Sequence, residues 1–497
     1  MLRRCLPLAA VVLVSLPAAS FAAPPDAATV DAIFADALKT YPVPGLAVGV
    51  VRDDEVVFLK GYGVREAGGK DAVTPDTIFS IGSCTKAFTA TALALLVDDG
   101  KVRWDDPVRK HVPYFHLSDP LADREVTLRD LLCHRTGLAR HDLLYYRAAW
   151  DVEETVRRVG RLELTHSFRS AYEYNNLCYL AAGLAVEGAS KAPWHEFVQK
   201  RLFDKLDMKG AVFTPTAALK RDHATPHAVD GGQPKAIPWY PDDKQVRASG
   251  SIKCGARDLC QWLRLQLNDG ACGGQRVVSA RALAETHTPQ VVVPVGAPLA
   301  KMTDMTQASY GLGWHIYDYR GHLVWEHGGA VDGFRAKILL APKQKVGVVV
   351  LGNSDQVEAV LATSYQVLDH LLGLEKRDWN GYYTDVIKRA ATAAQARREQ
   401  FESGRKPDAK SSRELDAYVG TFEDAAYGTL TVTKKDGELR LSWSTFEGKL
   451  DHYRDDAFTL AARGRLEDTL ATFVLGSDKA VTGVKFVGRT FKRVKSK

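Results

Sequence analysis

Past its first 22 residues, this 497-residue chain has no stretch approaching about 18 uncharged apolar residues, so no membrane-spanning helix is expected. It has no C-x-x-C motif. His195-Glu196 is followed by Gln199 where a zinc-binding helix would carry its second histidine, so neither metal catalysis nor any cofactor is expected. It has little surplus of one charge: 66 basic against 60 acidic residues leave a formal +6, and Arg3 and Arg4 supply two of these. The remaining bases alternate with acids, which reads as a solvated surface and argues against nucleic acid as a partner. Cysteine is sparse as well. Cys84, Cys133, Cys178, Cys254, Cys260 and Cys272 follow residue 22, too few to form a disulfide framework for so long a chain. One bridge between Cys260 and Cys272 stays open, and several of the others fall in apolar helical patterns typical of buried thiols. No internal repeat is present.

What is there is ordinary globular material, 45% apolar and 25% charged, enough for two or three structural units. Residues 1–22 have the layout of a signal peptide: Arg3 and Arg4, an apolar stretch Leu6 to Leu16, then Ser20-Phe21-Ala22 with small residues where a signal peptidase reads. A periplasmic or secreted protein is expected. A helical pattern at 28–38 precedes strands at 44–51 and 55–63, joined at Asp53-Asp54. Residues 83–267 are mostly helical in period. Strands return at 310–317, 322–326 and 335–351, the last hinged at Ala341-Pro342, and a helix follows at 357–372. This order predicts an α+β catalytic unit over 23–375, an antiparallel sheet flanked by helices with an inserted helical region. The site is expected where the two regions meet. Residues 376–412 read as a helix and linker. Residues 413–497 read as an all-β small barrel, with a hairpin at Lys435-Asp436-Gly437.

Three motifs carry chemistry. In Ser83-Cys84-Thr85-Lys86 a weak hydroxyl nucleophile has an amine one helical turn away, and the apolar run Ala87–Val97 makes that helix a buried one. Burial lowers an amine's pKa and makes Lys86 a base, while the Ser83 N–H offers an oxyanion donor. Alone the motif is weak, because roughly two Ser-x-x-Lys would arise by chance in a chain this long. In Tyr174-Asn175-Asn176 the phenol is expected to have its pKa depressed by the Lys86 ammonium and to move protons. The Asn176 amide would orient Lys86 and a substrate amide, unless it is simply a helix cap. In His327-Gly328-Gly329 the glycines let substrate lie against a strand, His327 points into the cleft, and Ala330 N–H is the second oxyanion donor. Arg135, Tyr145, Tyr146, Trp239 and Tyr240 are candidates for lining the pocket by loop position alone, with a structural role the stronger expectation for each.

Taken together and in this order, the motifs resemble the serine β-lactamase-like superfamily of class C β-lactamases, D-Ala-D-Ala carboxypeptidases and esterases. Leu131-Leu132-Cys133-His134-Arg135-Thr136-Gly137-Leu138 and Ala256-Arg257-Asp258-Leu259 also look like family segments. The resemblance spans about residues 27–372. Tyr418-Val419-Gly420-Thr421-Phe422 looks like the start of the lipocalin-like barrel that some members append. The resemblance implies acyl transfer on a small-molecule or short-peptide substrate, with Ser83 as nucleophile and Lys86 and Tyr174 sharing the base role. It also implies catalytic residues Ser83, Lys86 and Tyr174, and binding residues Asn176, His327, Gly328, Gly329 and Ala330. Class C β-lactamases have Lys and Thr where this chain has His327 and Gly328, which moves the expectation from β-lactamase toward peptidase or esterase. A non-catalytic peptide- or lipid-binding protein is the reading of a different class.

Overall fold

The computed structural model describes residues 26–494 apart from 244, 407–408 and 462–463; the expected signal peptide lies outside the described residues. Helix α1 (Ala27–Thr40) is capped by the Asp26 side chain and buries Val30, Phe34 and Ala37 along one face. It leads into β1 (Gly45–Arg52) and β2 (Glu55–Gly63), whose turn uses positive φ at Asp53 and Asp54. Helix α2 (Thr85–Asp98) follows, buried from Thr85 to Leu96, and then α3 (Asn176–Ser190) and α4 (Ala256–Leu267). The remaining strands of the sheet are β3 (Val291–Val292), β4 (Ala308–Tyr310), β5 (His315–Tyr319), β6 (His322–Val331), β7 (Phe334–Ala341) and β8 (Val346–Gly352). Helices α5 (Val357–Leu371) and α6 (Trp379–Ser403) come next.

The sheet is antiparallel, in the order β2-β1-β8-β7-β6-β5-β4-β3. Alternation with period two sorts its central strands onto two faces. Ala47, Ile338, Leu340, Val349 and Leu351 pack with α2 and α4, while Val48, Val50, Leu339, Val348 and Val350 pack with α1 and α5. The expected mixed fold is therefore present, with the helical region inserted between β2 and β3. One expectation fails. Residues 310–317 are not one strand but a hairpin, because Gly311 and Gly313 turn the chain between β4 and β5. Gly313 lies at φ +87°, and a Cβ there would come within 3.0 Å of the α2 backbone. The cysteines also differ from the open bridge: all six are free, Cys260 is buried, and Cys272 Sγ donates to Gln261 Oε1 at 3.6 Å.

Beyond α6, eight antiparallel strands from Gly420–Asp424 to Arg489–Arg493 close into a barrel. Asp436 and Gly437, both at positive φ, make its tight hairpin. Phe422, Leu441, Trp443, Phe473, Phe486 and Phe491 are buried in it, as expected when eight strands enclose little more than side chains. Among the described residues no helix is long and apolar enough to cross a membrane.

Two glycines on β6 test how tightly the sheet approaches the start of α2. A Cβ at Gly329 would lie 1.9 Å from the Ile81 carbonyl oxygen, whereas one at Gly328 would meet only Ala336 O at 3.8 Å. Gly329→Ala is expected to cost about 1–3 kcal/mol of stability. Gly328→Ala is expected to stay within about 0.5 kcal/mol. Urea unfolding of the two variants checks the contrast.

Candidate active site

Ser83 sits in the tight turn Gly82–Cys84 that opens α2. Gly82 has φ +49°, and a Cβ on it would lie 2.7 Å from Ala330 N, so the turn carrying Ser83 rests against the end of β6. Lys86 is fully buried one turn on. Its Nζ lies 3.1 Å from Ser83 Oγ, 2.7 Å from Asn176 Oδ1 and 2.9 Å from Ser249 O. Each partner is held by its own element. Thr89 Oγ1 donates to Ala248 O at 2.7 Å, and Ile252 N–H donates to Thr85 Oγ1 at 3.2 Å, so the segment 248–252 is laced to α2 and presents the Ser249 carbonyl.

Asn176 is the first residue of α3. The capping role belongs to Asn175, whose Oδ1 accepts from Cys178 N–H at 3.2 Å. Asn175 Nδ2 also donates to Leu138 O at 2.9 Å, and its backbone N–H donates to His134 Nδ1 at 3.0 Å. The Leu131–Leu138 segment is thereby the support of the Tyr174–Asn176 segment. The Asn176 amide is fully engaged: Nδ2 donates to Asp142 Oδ1 at 2.9 Å and to Tyr145 OH at 2.8 Å. It orients Lys86, but it keeps no donor for a substrate amide, contrary to expectation.

Burial sets the protonation states. Desolvation pulls Lys86 well below the ordinary lysine value, partly opposed by the Asp142 carboxylate. Tyr174 lies with its ring centroid 4.8 Å from Lys86 Nζ. Its pKa was expected to be depressed; burial raises it instead, only partly opposed by Ser83 and the Arg140 guanidinium. His327 also departs from expectation. Its Nδ1–H donates to Gly328 O at 2.6 Å and its Nε2 accepts from Tyr310 OH at 2.9 Å, so neither nitrogen is left for the cleft. Burial pushes its pKa well down, which makes the ring neutral.

Ser83, Tyr174, Asn176, His327, Gly328, Gly329 and Ala330 line one cleft of about 440 Å³, with Lys86 beneath it. Tyr145, Tyr146 and Tyr240, candidates by loop position for which a structural role was the stronger expectation, line it too. Arg135 instead pairs with buried Asp130, its Nε 2.6 Å from Oδ1, and Trp239 packs on Phe334. Residues not found from the sequence include Ser249, Asp142, Arg140, Glu326, Lys337 and Arg465. Ser249 acts through its carbonyl, which no motif records, and Arg465 comes from the barrel, standing 4.1 Å over the Tyr146 ring.

The beta-lactamase family model matches residues 30–372. The chain belongs to the beta-lactamase family. A domain of unknown function, DUF3471, matches residues 404–494, the barrel of this beta-lactamase-family chain. The unguisins hydrolase of Aspergillus violaceofuscus is 28% identical over 439 residues, covering 81% of this chain and 76% of that protein. Among solved structures, the octameric penicillin-binding protein homologue of Pyrococcus abyssi superposes with TM-score 0.64 at 22% identity, covering 95% of this chain and all of that one. The D-amino acid amidase of Ochrobactrum anthropi superposes with TM-score 0.56 at 22% identity, covering 70% and 97%.

Because the Asp142 carboxylate supports protonation of Lys86, Asp142→Asn is expected to lower the Lys86 pKa further while keeping an acceptor for Asn176. An amine that must be neutral then stays active to lower pH. The acid limb of Ser83 labelling by a fluorophosphonate is expected to move down by up to about one pH unit.

Proposed function

We propose that the protein is an exported serine hydrolase that works through an acyl-enzyme on small peptides, amides or esters. The observation that carries this reading is the bonding of Lys86 Nζ. A neutral amine has two N–H groups and one lone pair. Asn176 Oδ1 and Ser249 O accept the two N–H bonds, which turns the lone pair toward the Ser83 hydroxyl. Ser83 Oγ then attacks a carbonyl carbon while its proton passes to Lys86 Nζ. The backbone N–H groups of Ser83 and Ala330 hold the oxyanion. The raised pKa of Tyr174 suits it to donate: its phenol protonates the departing nitrogen or oxygen and is reprotonated by the Lys86 ammonium. Water attacks the ester by the reverse route and releases Ser83.

This refines the shared-base scheme, with Lys86 taking the proton and Tyr174 supplying one. The catalytic unit of this proposal is residues 23–375, joined through 376–412 to the barrel at 413–497, with 1–22 removed on export. The D-amino acid amidase neighbour places D-amino acid amides in the first substrate panel. A class C-like β-lactamase is the weaker alternative, since the neutral, internally bonded His327 is no partner for a β-lactam carboxylate. A binding protein has no need of a lysine dehydrated beside a serine.

Intact-mass spectrometry after fluorophosphonate treatment is expected to show one adduct on the wild type and none on Ser83→Ala. Tyr174→Phe is expected to keep the adduct but to lose about 100-fold or more in amide turnover. Equal labelling of Ser83→Ala would refute the assignment.

A further inference from the structure

The face of β6 turned away from Ser83 holds a charged pair that the mechanism above does not use. β6 pairs with β5 only as far as His315↔Glu326, so from His327 onward its outer edge is open along the cleft. On the other side Gly328 lies opposite Lys337 of β7. Alternation puts Glu326, Gly328 and Lys337 on one face, the face that α5 covers. Lys337 is buried, with its Nζ in contact with Glu326 Oε2, and Tyr317 OH donates to the same carboxylate oxygen at 3.1 Å. Both charged residues nevertheless line the cleft, together with Val357 and Leu361 of α5. They do so because Gly328 has no side chain, and the space where one would stand is empty out to Ala336 O at 3.8 Å.

The direction of the strand says which part of a substrate meets this notch. His327 lies beside Tyr174, with ring centroids 6.4 Å apart, and the strand then passes the oxyanion donor Ala330 and ends near Asp332, which accepts from Tyr146 OH at 2.6 Å. The group that Tyr174 protonates on departure therefore lies over Gly328, and the acyl group extends toward Tyr146 and Arg465.

We infer that the Lys337–Glu326 pair beneath Gly328 makes the leaving-group subsite selective for uncharged leaving groups, so the enzyme disfavours substrates with a free carboxylate there. The inference rests on Tyr174 as the leaving-group acid. An ammonium alone at this place would attract a carboxylate. Glu326 neutralises it, and an incoming carboxylate would meet a second carboxylate in a dehydrated pocket, where like charges repel strongly. An amide, an ester or an apolar side chain imports no charge: it takes an N–H from Lys337 or packs on Val357 and Leu361. Burial pulls the Lys337 ammonium below its ordinary value, to about 7, and His315 nearby is held neutral by burial, with its pKa down to about 3. The subsite thus carries no net positive charge. Such an enzyme cuts bonds within a chain, or releases neutral alcohols and amines, more readily than it trims a terminal amino acid.

The test uses phenylacetyl esters of 3-hydroxybenzamide and 3-hydroxybenzoate, whose leaving groups differ essentially in charge. Wild-type kcat/KM is expected to favour the benzamide ester by at least about tenfold. Glu326→Gln keeps the shape and frees Lys337, and at pH 6 it is expected to raise kcat/KM for the benzoate ester by about tenfold or more while leaving the benzamide ester within about threefold. Adding Lys337→Met to Glu326→Gln is expected to abolish that gain. Fluorophosphonate labelling of each variant at the wild-type extent confirms a folded site. A wild type that prefers the benzoate ester, or a Glu326→Gln ratio unchanged while both esters turn over and Ser83 labels, overturns this inference and leaves the serine hydrolase standing. No turnover of either ester together with no adduct on Ser83 overturns both.

Discussion

A lysine buried without a carboxylate in contact is the constraint on which this site depends. Dehydrating an ammonium costs several kcal/mol, which pulls the Lys86 pKa well below the ordinary lysine value and favours an amine whose hydrogen bonds are all specified. Three separated parts of the chain have to arrive together to do it: the turn at Ser83, the first residue of α3 and the carbonyl of Ser249. Much of the helical region reads as support for that meeting. The cap at Asn175, the ring of His134 below it and the ties from Thr85 and Thr89 each fix one partner of Nζ. A shift in any of these elements would turn the lone pair away from Ser83.

The barrel takes part in the same support. It meets the catalytic unit along the segment 141–161. Tyr427 OH pairs with His141 Nδ1 at 3.0 Å, Ala149 N–H donates to Ser444 Oγ at 3.1 Å, and Arg161 donates to Ala425 O at 2.8 Å. That segment supplies Asp142 and Tyr145, the two acceptors that fix the Asn176 amide. Three successive contacts thus link the barrel to Lys86, and a role confined to spacing does not account for Arg465 standing at the cleft.

Much of this was legible in the sequence, for a physical reason: where an element's period and its burial agree, the pattern is visible. The alternation of the strands, the all-round apolar α2 and the turn at Asp436-Gly437 are of this kind. The order of the three motifs located seven lining residues and the lysine beneath them. What escaped reading depends on distance in sequence. Tyr310 closes the His327 ring from 17 residues away. Ser249 contributes only a carbonyl, and Lys337 reaches the cleft from a neighbouring strand because residue 328 is glycine. The protonation of Tyr174 was misjudged because the burial of the phenol itself was left out of account.

The same electrostatic logic accounts for the departures at 327 and 328. Several of the charged side chains at the cleft come in pairs. Arg140 Nε lies 2.6 Å from Asp142, Lys253 Nζ lies 3.1 Å from Asp242, and Lys337 touches Glu326. Burial favours the neutral forms of Lys86 and Tyr174 beside Ser83. Under the proposed mechanism a proton would move between Ser83, Lys86 and Tyr174, with charge developing on the oxyanion and on the lysine that balances it. A lysine at 327 would place a permanent cation beside Lys86 and lower its basicity further. A neutral imidazole closed on itself adds no such cation, and it offers no charge to an anionic substrate at this position.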